Sequence, residues 1–516
     1  MAGSSQEEKE QQRMPAFFES VSILFLVGCF IFYVVKVLDA GIHISIALAA
    51  AFVAIVAMVR LKAKWSFIER AMLSSIMMGM QAVLILYIVG MLVGTWILSG
   101  VVPSMVYYGL NLISPSYFLI ATLFICSIVS LATGTSWGTT GTVGIALMGI
   151  GTGLGVSAPV TAGFVISGAY FGDKVSPLSD TTNLAPAMAG TDIFQHIRAM
   201  CWTTGPAYLI VVVLASVMGS KYSGEVLDSE NIQAIQALMR GEFNVSPLGF
   251  IPPLLVIGLA ASKKPAIPSI FAGVLAGIVL ALLQNTGIGV LYEALYNGYS
   301  PTLTASVVEA GKEGLPAVAA LLAEAGVSGI PTTESALEAA SMLNRLMERG
   351  GLQSMNETVS LILCALCFGG VLDQCGFLEA LLEPALRGVK TVGGLVASTL
   401  AACYITNVCA PDQYVSVVIP GRMFKERFEK WGLHPRMLSR SLEDAGTLTS
   451  ALVPWNTCGL YQAQILGVAT IAYAPYAFLN WITPLVAMLI TYMGIGIAWS
   501  SKDDPEGFVI SRRKPD

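Results

Sequence analysis

AMLSSIMMGMQAVLILYIVGMLVGTWILSGVVPSMVYYGLNLISPSYFLIATLFICSIVSLATGTSWGTTGTVGIALMGIGTGLGVSAPVTAGFVISGAYFG, Ala71 to Gly172, is a run of 102 residues without one Asp, Glu, Lys, Arg or His. It ends at DKVSPLSDTTN, Asp173 to Asn183. A run that long without charge is not a soluble core. A hydrocarbon layer roughly 30 Å thick takes about 20 apolar residues per helix, so the run holds several membrane crossings. In the cluster that ends it, Asp173 and Asp180 sit among Ser176, Ser179, Thr181, Thr182 and Asn183. Two carboxylates among hydroxyl and amide oxygens supply what a cation site needs, and carboxylates beside membrane segments are functional by default. The bland reading is that Asp173, Ser176 and Asp180 cap helices at the membrane surface, with Pro177 at a helix start or tight turn.

Composition points the same way. Hydrophobic residues make up 55% of the 516 and charged residues 12%, with a mean hydropathy of +0.71, outside the soluble range. The chain has room for roughly a dozen spans, and the predicted fold class is an all-α polytopic membrane protein of roughly 10 to 13 transmembrane segments. A net charge of −5 without a long basic tract argues against a nucleic-acid partner. MAGSSQEEKEQQRMP lacks a small-residue cleavage site, so Phe17 onward reads as a first membrane helix rather than a signal peptide.

Loop charge orients the chain. Residues 60–70 carry Arg60, Lys62, Lys64 and Arg70, and 422–440 carry six basic residues, which places both loops in the cytoplasm. Residues 284–357 hold eight glutamates against Lys312, Arg345 and Arg349, and read as a long amphipathic extracytoplasmic segment. The expected organisation is therefore a cytoplasmic tail 1–16, a first membrane half 17–283, the segment 284–357, a second half 358–501 and a cytoplasmic tail 502–516. Nine cysteines fall mostly in apolar segments. The Cys364–Cys367 pair has no second CxxC and no nearby His, so it reads as packing.

Each half repeats one plan. An apolar segment runs into a break, ATGTSWGTTGTVG (Ala132 to Gly144) in the first half and ITNVCAPDQ (Ile405 to Gln413) in the second. Acidic clusters follow, DKVSPLSDTTN and EDAGTLTSALVPWNT, and Thr133 lies 40 positions before Asp173 as Thr406 lies 38 before Asp444. Weak symmetry of this kind suits internal repeats in a secondary transporter. Unwound backbone at membrane depth must line a cavity or be buried in protein. There its carbonyls, with Thr133, Thr135, Ser136, Thr139 and Thr140, can hold an ion. Gly134 and Gly138 also form a GxxxG packing pair. Gly134-Ser136-Gly138 fits a hydrolase GxSxG, but no strand precedes it and the chain has only three His, so the chain does not read as an enzyme.

These residues carry a resemblance. TGTSWGTTGTVG from Thr133, SGAYFGDKVSPLSDTTNLAPAMAGTDIFQHIR from Ser167, GGLQSMNETVSLILCALCFGGVL from Gly350 and PDQYVSVVIPGRMFKERFEKWGLHPRMLSRSLEDAGTLTSALVPWNTCG from Pro411 resemble the NhaC-type sodium/proton antiporter family, within the ion transporter superfamily. The stretch around 301–341 and both termini match nothing in it. The resemblance implies two inverted structural repeats with discontinuous helices and re-entrant hairpins, a homodimer that moves a core domain against a scaffold, and a prokaryotic cytoplasmic (inner) membrane. The family also includes malate–lactate exchangers and ion-coupled amino-acid carriers, so a small organic acid or amino acid stays open as substrate. In that case Trp455 and Tyr414 would line its pocket.

The expected mechanism is exchange of Na⁺ for H⁺ on shared carboxylates, with no cofactor beyond the transported ions. Oxygens would come from Asp173, Ser176, Asp180, Thr181, Asn183, Thr133, Thr135 and Ser136, and in the second half from Asn407, Asp412, Asp444, Thr447 and Asn456. Glu443 is a weaker candidate, and Lys174 would be the salt-bridge partner that keeps an aspartate ionised when the cation is absent. Burial raises a carboxyl pKa by up to about 3–5 units, so a carboxyl starting near about 3.9 would titrate where proton and sodium compete. A non-transporting membrane sensor or scaffold is the remote alternative.

Overall fold

In hydrocarbon an uncharged chain satisfies its backbone by helical hydrogen bonds or by closing a barrel, and this sequence takes the first route. The computed structural model describes residues 13–38, 42–222, 229–262, 264–386, 389–501 and 507–513. Most of the tail expected over 1–16, and residues 502–506 and 514–516 of the tail expected over 502–516, lie outside the described residues. Among the described residues regular structure is helical apart from one antiparallel pair, β1 (Ala498–Ser500) with β2 (Phe508–Ile510).

The first half runs α1 (Phe17–Lys36), α2 (Ile42–Arg60), α3 (Trp65–Leu98), α4 (Val101–Leu112) and α5 (Pro115–Thr133). After a break come α6 (Ser136–Thr139), a π-helical turn Thr140–Gly144, α7 (Ile145–Gly153), α8 (Ala158–Val175), α9 (Asp180–Ala189) and α10 (Ile193–Lys221). Next are α11 (Ser229–Glu242), α12 (Ile251–Ala261) and α13 (Ala266–Leu283). The 284–357 segment forms α14 (Ile288–Tyr296), α15 (Leu303–Glu313), α16 (Leu315–Glu324) and α17 (Thr333–Met347). The second half is α18 (Asn356–Gln374), α19 (Phe377–Leu386), α20 (Val392–Cys409), α21 (Gln413–Trp431) and α22 (Pro435–Leu442), then a π-helical turn Glu443–Thr447, α23 (Leu448–Ser450), α24 (Thr457–Leu466), α25 (Thr470–Tyr473) and α26 (Phe478–Tyr492).

Among the described residues eight helices are long and apolar enough to cross a membrane, and two bent pairs bring the number to ten. Their exposed faces are apolar: on α10, Leu209, Val213 and Val217 face outward at i, i+4 spacing while Ala207, Val211 and Ala215 are buried. An outward apolar stripe over a small-residue inner face is membrane packing. Two hydrophobic cores result, and α18 is shared between them. It gives Val359, Ile362 and Leu366 to one core and Leu361, Ala365 and Phe368 to the other.

α12 and α13 form a hairpin. Its ends are tied beside the end of α3 and the start of α4, by Gln284 Nε2 donating to Ser99 O at 3.0 Å and Ser246 N donating to Ser104 Oγ at 3.0 Å. Eleven residues of α12 rise only about 16 Å at 1.5 Å each, short of a full crossing. The tip lies beside Met78 to Ile85, midway along α3.

The glutamate-rich segment is amphipathic in helical register. α17 buries Ala336, Ala339, Ala340, Leu343 and Met347 and packs on α11. Glu242 of α11 accepts from Thr302 N at 2.7 Å, Thr304 N at 2.9 Å and the Tyr299 hydroxyl at 3.0 Å, closing the start of α15. Burial, and then the Glu242 carboxylate beside it, push the Tyr299 phenol above its ordinary value, so it stays a donor.

Candidate functional site

Four helix breaks meet in two pairs. α5 ends where Gly134 takes a left-handed φ of 69°, and the chain restarts at Ser136. A Cβ on Gly134 would lie 2.6 Å from Leu178 Cβ, because the second break, 176–179 between α8 and α9, crosses here. Ser176 Oγ donates to Leu131 O at 2.9 Å across that crossing. In the second half, α20 breaks at 410–412 against the 451–456 break. Thr457 N donates to Pro411 O at 2.9 Å, and Trp455 Nε1 to Val408 O at 2.7 Å. Sequence reasoning located two of these breaks, those at 134–135 and 410–412, through their Gly, Thr, Pro and Asn content. It could not show that they pair.

A cavity of about 380 Å³ opens between the two crossings. The first half lines it with Thr133, Thr135, Ser136, Asp173, Asp180 and Thr181, and the second with Asp412, Gln413, Tyr414 and Thr457. Asp173 is buried near the end of α8, and its Oδ2 accepts from Ser136 N at 3.0 Å and Ser136 Oγ at 2.6 Å. Two donors on one oxygen point the carboxylate at the helix restart, where backbone N–H groups are unpaired. Thr135 caps the same restart, its hydroxyl accepting from Gly138 N at 3.3 Å. Asp412, also buried, caps α21 by accepting from Tyr414 N at 2.8 Å and Val415 N at 3.2 Å. Asp180, the first residue of α9, is exposed on the cavity wall. Thr133 Oγ1 lies 3.5 Å from Thr139 Oγ1. No three Asp, Glu, His or Cys converge as a metal cluster among the described residues, so an ion here must draw on hydroxyls and carbonyls as well.

The remaining sequence candidates lie outside this wall. Asn183, exposed, donates to Pro177 O at 3.0 Å and Ser179 O at 2.7 Å, and with Ser176 it shapes the turn that presents Asp180. Asn407 and Asn456 tie the second crossing. Asn456 Nδ2 donates to Asn407 Oδ1 at 3.1 Å, and Asn407 Nδ2 to Gly446 O at 2.7 Å. Thr447 is buried in the π-helical turn beside Asp444. Asp444 itself is fully buried and pairs with Lys174, which is also fully buried; it accepts from Thr203 Oγ1 at 3.0 Å and has Arg440 Nε at 4.0 Å. The lysine expected as an aspartate's salt-bridge partner pairs with Asp444, across 270 positions of sequence. Thr181 bridges the two groups: it lines the cavity and donates to buried Glu443 Oε1 at 3.1 Å.

Ser179, already noted in the acidic cluster, and Trp137, which had no sequence signal of its own, complete the wall. Ser179 caps α9, and Trp137 stacks on Tyr461 with ring centroids 4.1 Å apart. The Tyr461 hydroxyl donates to Trp137 O at 2.7 Å, joining α6 to α24. Tyr414 was weighed as a pocket residue and does line the cavity, whereas the Trp455 indole is spent on the crossing.

Comparison with known proteins agrees with this architecture. Residues 168–495 match the model of the Na⁺/H⁺ antiporter family. The Na⁺/H⁺ antiporter NhaC of Alkalihalophilus pseudofirmus is 37% identical over 439 residues, 85% of this chain and 87% of the relative. A malate-2H⁺/Na⁺-lactate antiporter of Bacillus subtilis is 36% identical over 493 residues, 95% of this chain and 97% of that one. The arginine/ornithine antiporter ArcD of Halobacterium salinarum is 31% identical over 495 residues, covering 95% and 94%.

Proposed function

The chain belongs to the Na⁺/H⁺ antiporter family, and from that membership we propose that it exchanges Na⁺ for H⁺ across a prokaryotic cytoplasmic membrane, as a multi-pass secondary transporter working by alternating access. The observation that carries the reading is the cavity between the two helix crossings, where three carboxylates from both halves meet hydroxyl oxygens midway along α3. Asp173, Asp180 and Asp412, with Thr133, Thr135, Ser136 and Thr181, hold the Na⁺. The same carboxylates take the protons, so the two cations exclude each other. Neutralising the cavity by either ion lowers the cost of carrying it past apolar surface, and a charged empty cavity does not move. This is the source of coupling.

In the same proposal Asn407 and Asn456 brace the second crossing, Ser176 and Asn183 shape the turn before Asp180, and Asp444, with Thr447 beside it, stays locked to Lys174. Assembly as a homodimer completes it, with the mass of the detergent-solubilised protein as its check. The deciding measurement uses purified protein in liposomes loaded with a pH-sensitive dye. An inward Na⁺ gradient alone should drive proton efflux. If the dye responds only once malate, lactate or an amino acid is added, the chain exchanges organic solutes and Na⁺/H⁺ exchange is wrong.

A further inference from the structure

One wall residue has no place in the exchange described so far. Lys264 sits at the tip of the α12–α13 hairpin and lines the cavity, the one basic residue to do so among the described residues. The tip is closed on its own helix: Ser262 Oγ donates to Gly258 O at 2.7 Å and Lys264 N to Leu259 O at 3.2 Å. It also seats on the first break, since Ala260, Lys264 and Ala266 enclose a small void with Thr133, Thr135 and Gly138. The backbone is therefore held at the mouth of the site while a flexible four-carbon stem carries the charge.

The charges across the cavity are unequal in their partners. Asp173 is held by Ser136, and Asp412 by two backbone N–H groups. Asp180 has neither hydrogen bond nor ion pair among the described residues, and neither has the Lys264 ammonium. An unpaired carboxylate and an unpaired ammonium, both solvent-exposed, thus line one cavity midway along α3.

We propose that Lys264 is a tethered cation that occupies the acidic cavity when Na⁺ is absent, and so sets the protein's apparent Na⁺ affinity. This rests on the cavity being the transport site. An entering Na⁺ displaces the ammonium from Asp180, and the returning ammonium helps expel Na⁺ on the release side. Sites held by lysine are unavailable to Na⁺, so the apparent Kd is the intrinsic Kd divided by the fraction of sites left open. Lys264 is a specificity-determining residue in this scheme, and it does not ligate the ion.

The test compares wild type, Lys264→Gln, Lys264→Met and Lys264→Arg in dye-loaded liposomes over a Na⁺ series at fixed pH. Removing the charge should lower the half-saturating Na⁺ concentration about 1.5-fold to fivefold, the worth of one partly exposed charge pair. The maximal rate should fall with it because release slows, and Lys264→Arg should restore wild-type values. Thermal unfolding in detergent reads the same affinity without transport: the Na⁺ concentration that raises Tm should shift down equally in the Gln and Met variants. A slower rate at unchanged half-saturation would make the lysine merely structural and overturn the inference, as would an unmoved Tm series. Absence of Na⁺-driven proton movement in the wild type overturns the exchange reading instead, so the two failures are distinguishable.

Discussion

Asp173 and Lys174 are neighbours in sequence and do opposite work. α8 turns by about 100° per residue, so adjacent side chains face different surroundings: Asp173 faces the cavity and Ser136, while Lys174 faces Asp444. Asp173→Asn keeps the shape and one acceptor for Ser136 but removes the charge. Na⁺-driven proton movement in liposomes should fall to background while the protein still folds, judged by an unchanged elution profile; wild-type exchange in this variant removes Asp173 from the mechanism. Lys174→Met takes from buried Asp444 its close ion-pair partner and leaves it only Arg440 Nε at 4.0 Å, which should cost up to about 3–5 kcal/mol. Pairing it with Asp444→Leu should recover most of that loss. Thermal unfolding of both single variants and the double variant checks this, and a double-variant loss equal to the sum of the two single losses would mean the pair is not coupled. Both aspartates were legible as chemistry because charge is so scarce in this chain. Which of them meets the cavity depends on a rotation about one helix that composition does not encode.

Helix breaks position every cavity carboxylate. The windows 132–144 and 405–413 stood out by their Gly, Thr, Asn and Pro content, and the true interruptions, 134–135 and 410–412, fall inside them. The π-helical form of the turns at Thr140–Gly144 and Glu443–Thr447 was not legible, since a π turn differs from an α turn by one inserted residue in the hydrogen-bond ladder. Gly134 makes the sharpest element-scale prediction. A side chain there must hold a left-handed φ, which costs of order 1–3 kcal/mol, and would press on Leu178. Gly134→Ala should spread the first crossing, part Ser136 from Asp173 and reduce exchange at least tenfold. Gly190→Ala is the control: its φ of 84° imposes the same strain, but its nearest neighbour is the mobile end of Lys425 at 3.3 Å. If both variants exchange equally, the crossing does not set the site.

For the molecule as a whole, shared carboxylates make Na⁺ and H⁺ competitors. The Na⁺ concentration for half-maximal exchange should therefore rise as pH falls, by up to about tenfold per unit where one proton displaces one Na⁺. A Na⁺ series at several pH values measures this directly, and a half-saturation independent of pH would place the two ions on separate groups. The sequence by itself determined that this is an all-helical, multi-pass membrane protein with two acidic clusters and breaks beside them. Charge is expensive in a bilayer, so its absence over Ala71–Gly172 and its return at Asp173 are physical statements readable one residue at a time. Only the tertiary structure decided which oxygens share a cavity. It drew Asp412 in beside Asp173 and Asp180, turned Asp444 away to Lys174, folded α12 and α13 back so that Lys264 reaches the site, and set Asn407 against Asn456 as a brace. Those outcomes depend on how broken helices cross and rotate against one another, and such packing is fixed by side-chain contacts between segments hundreds of positions apart.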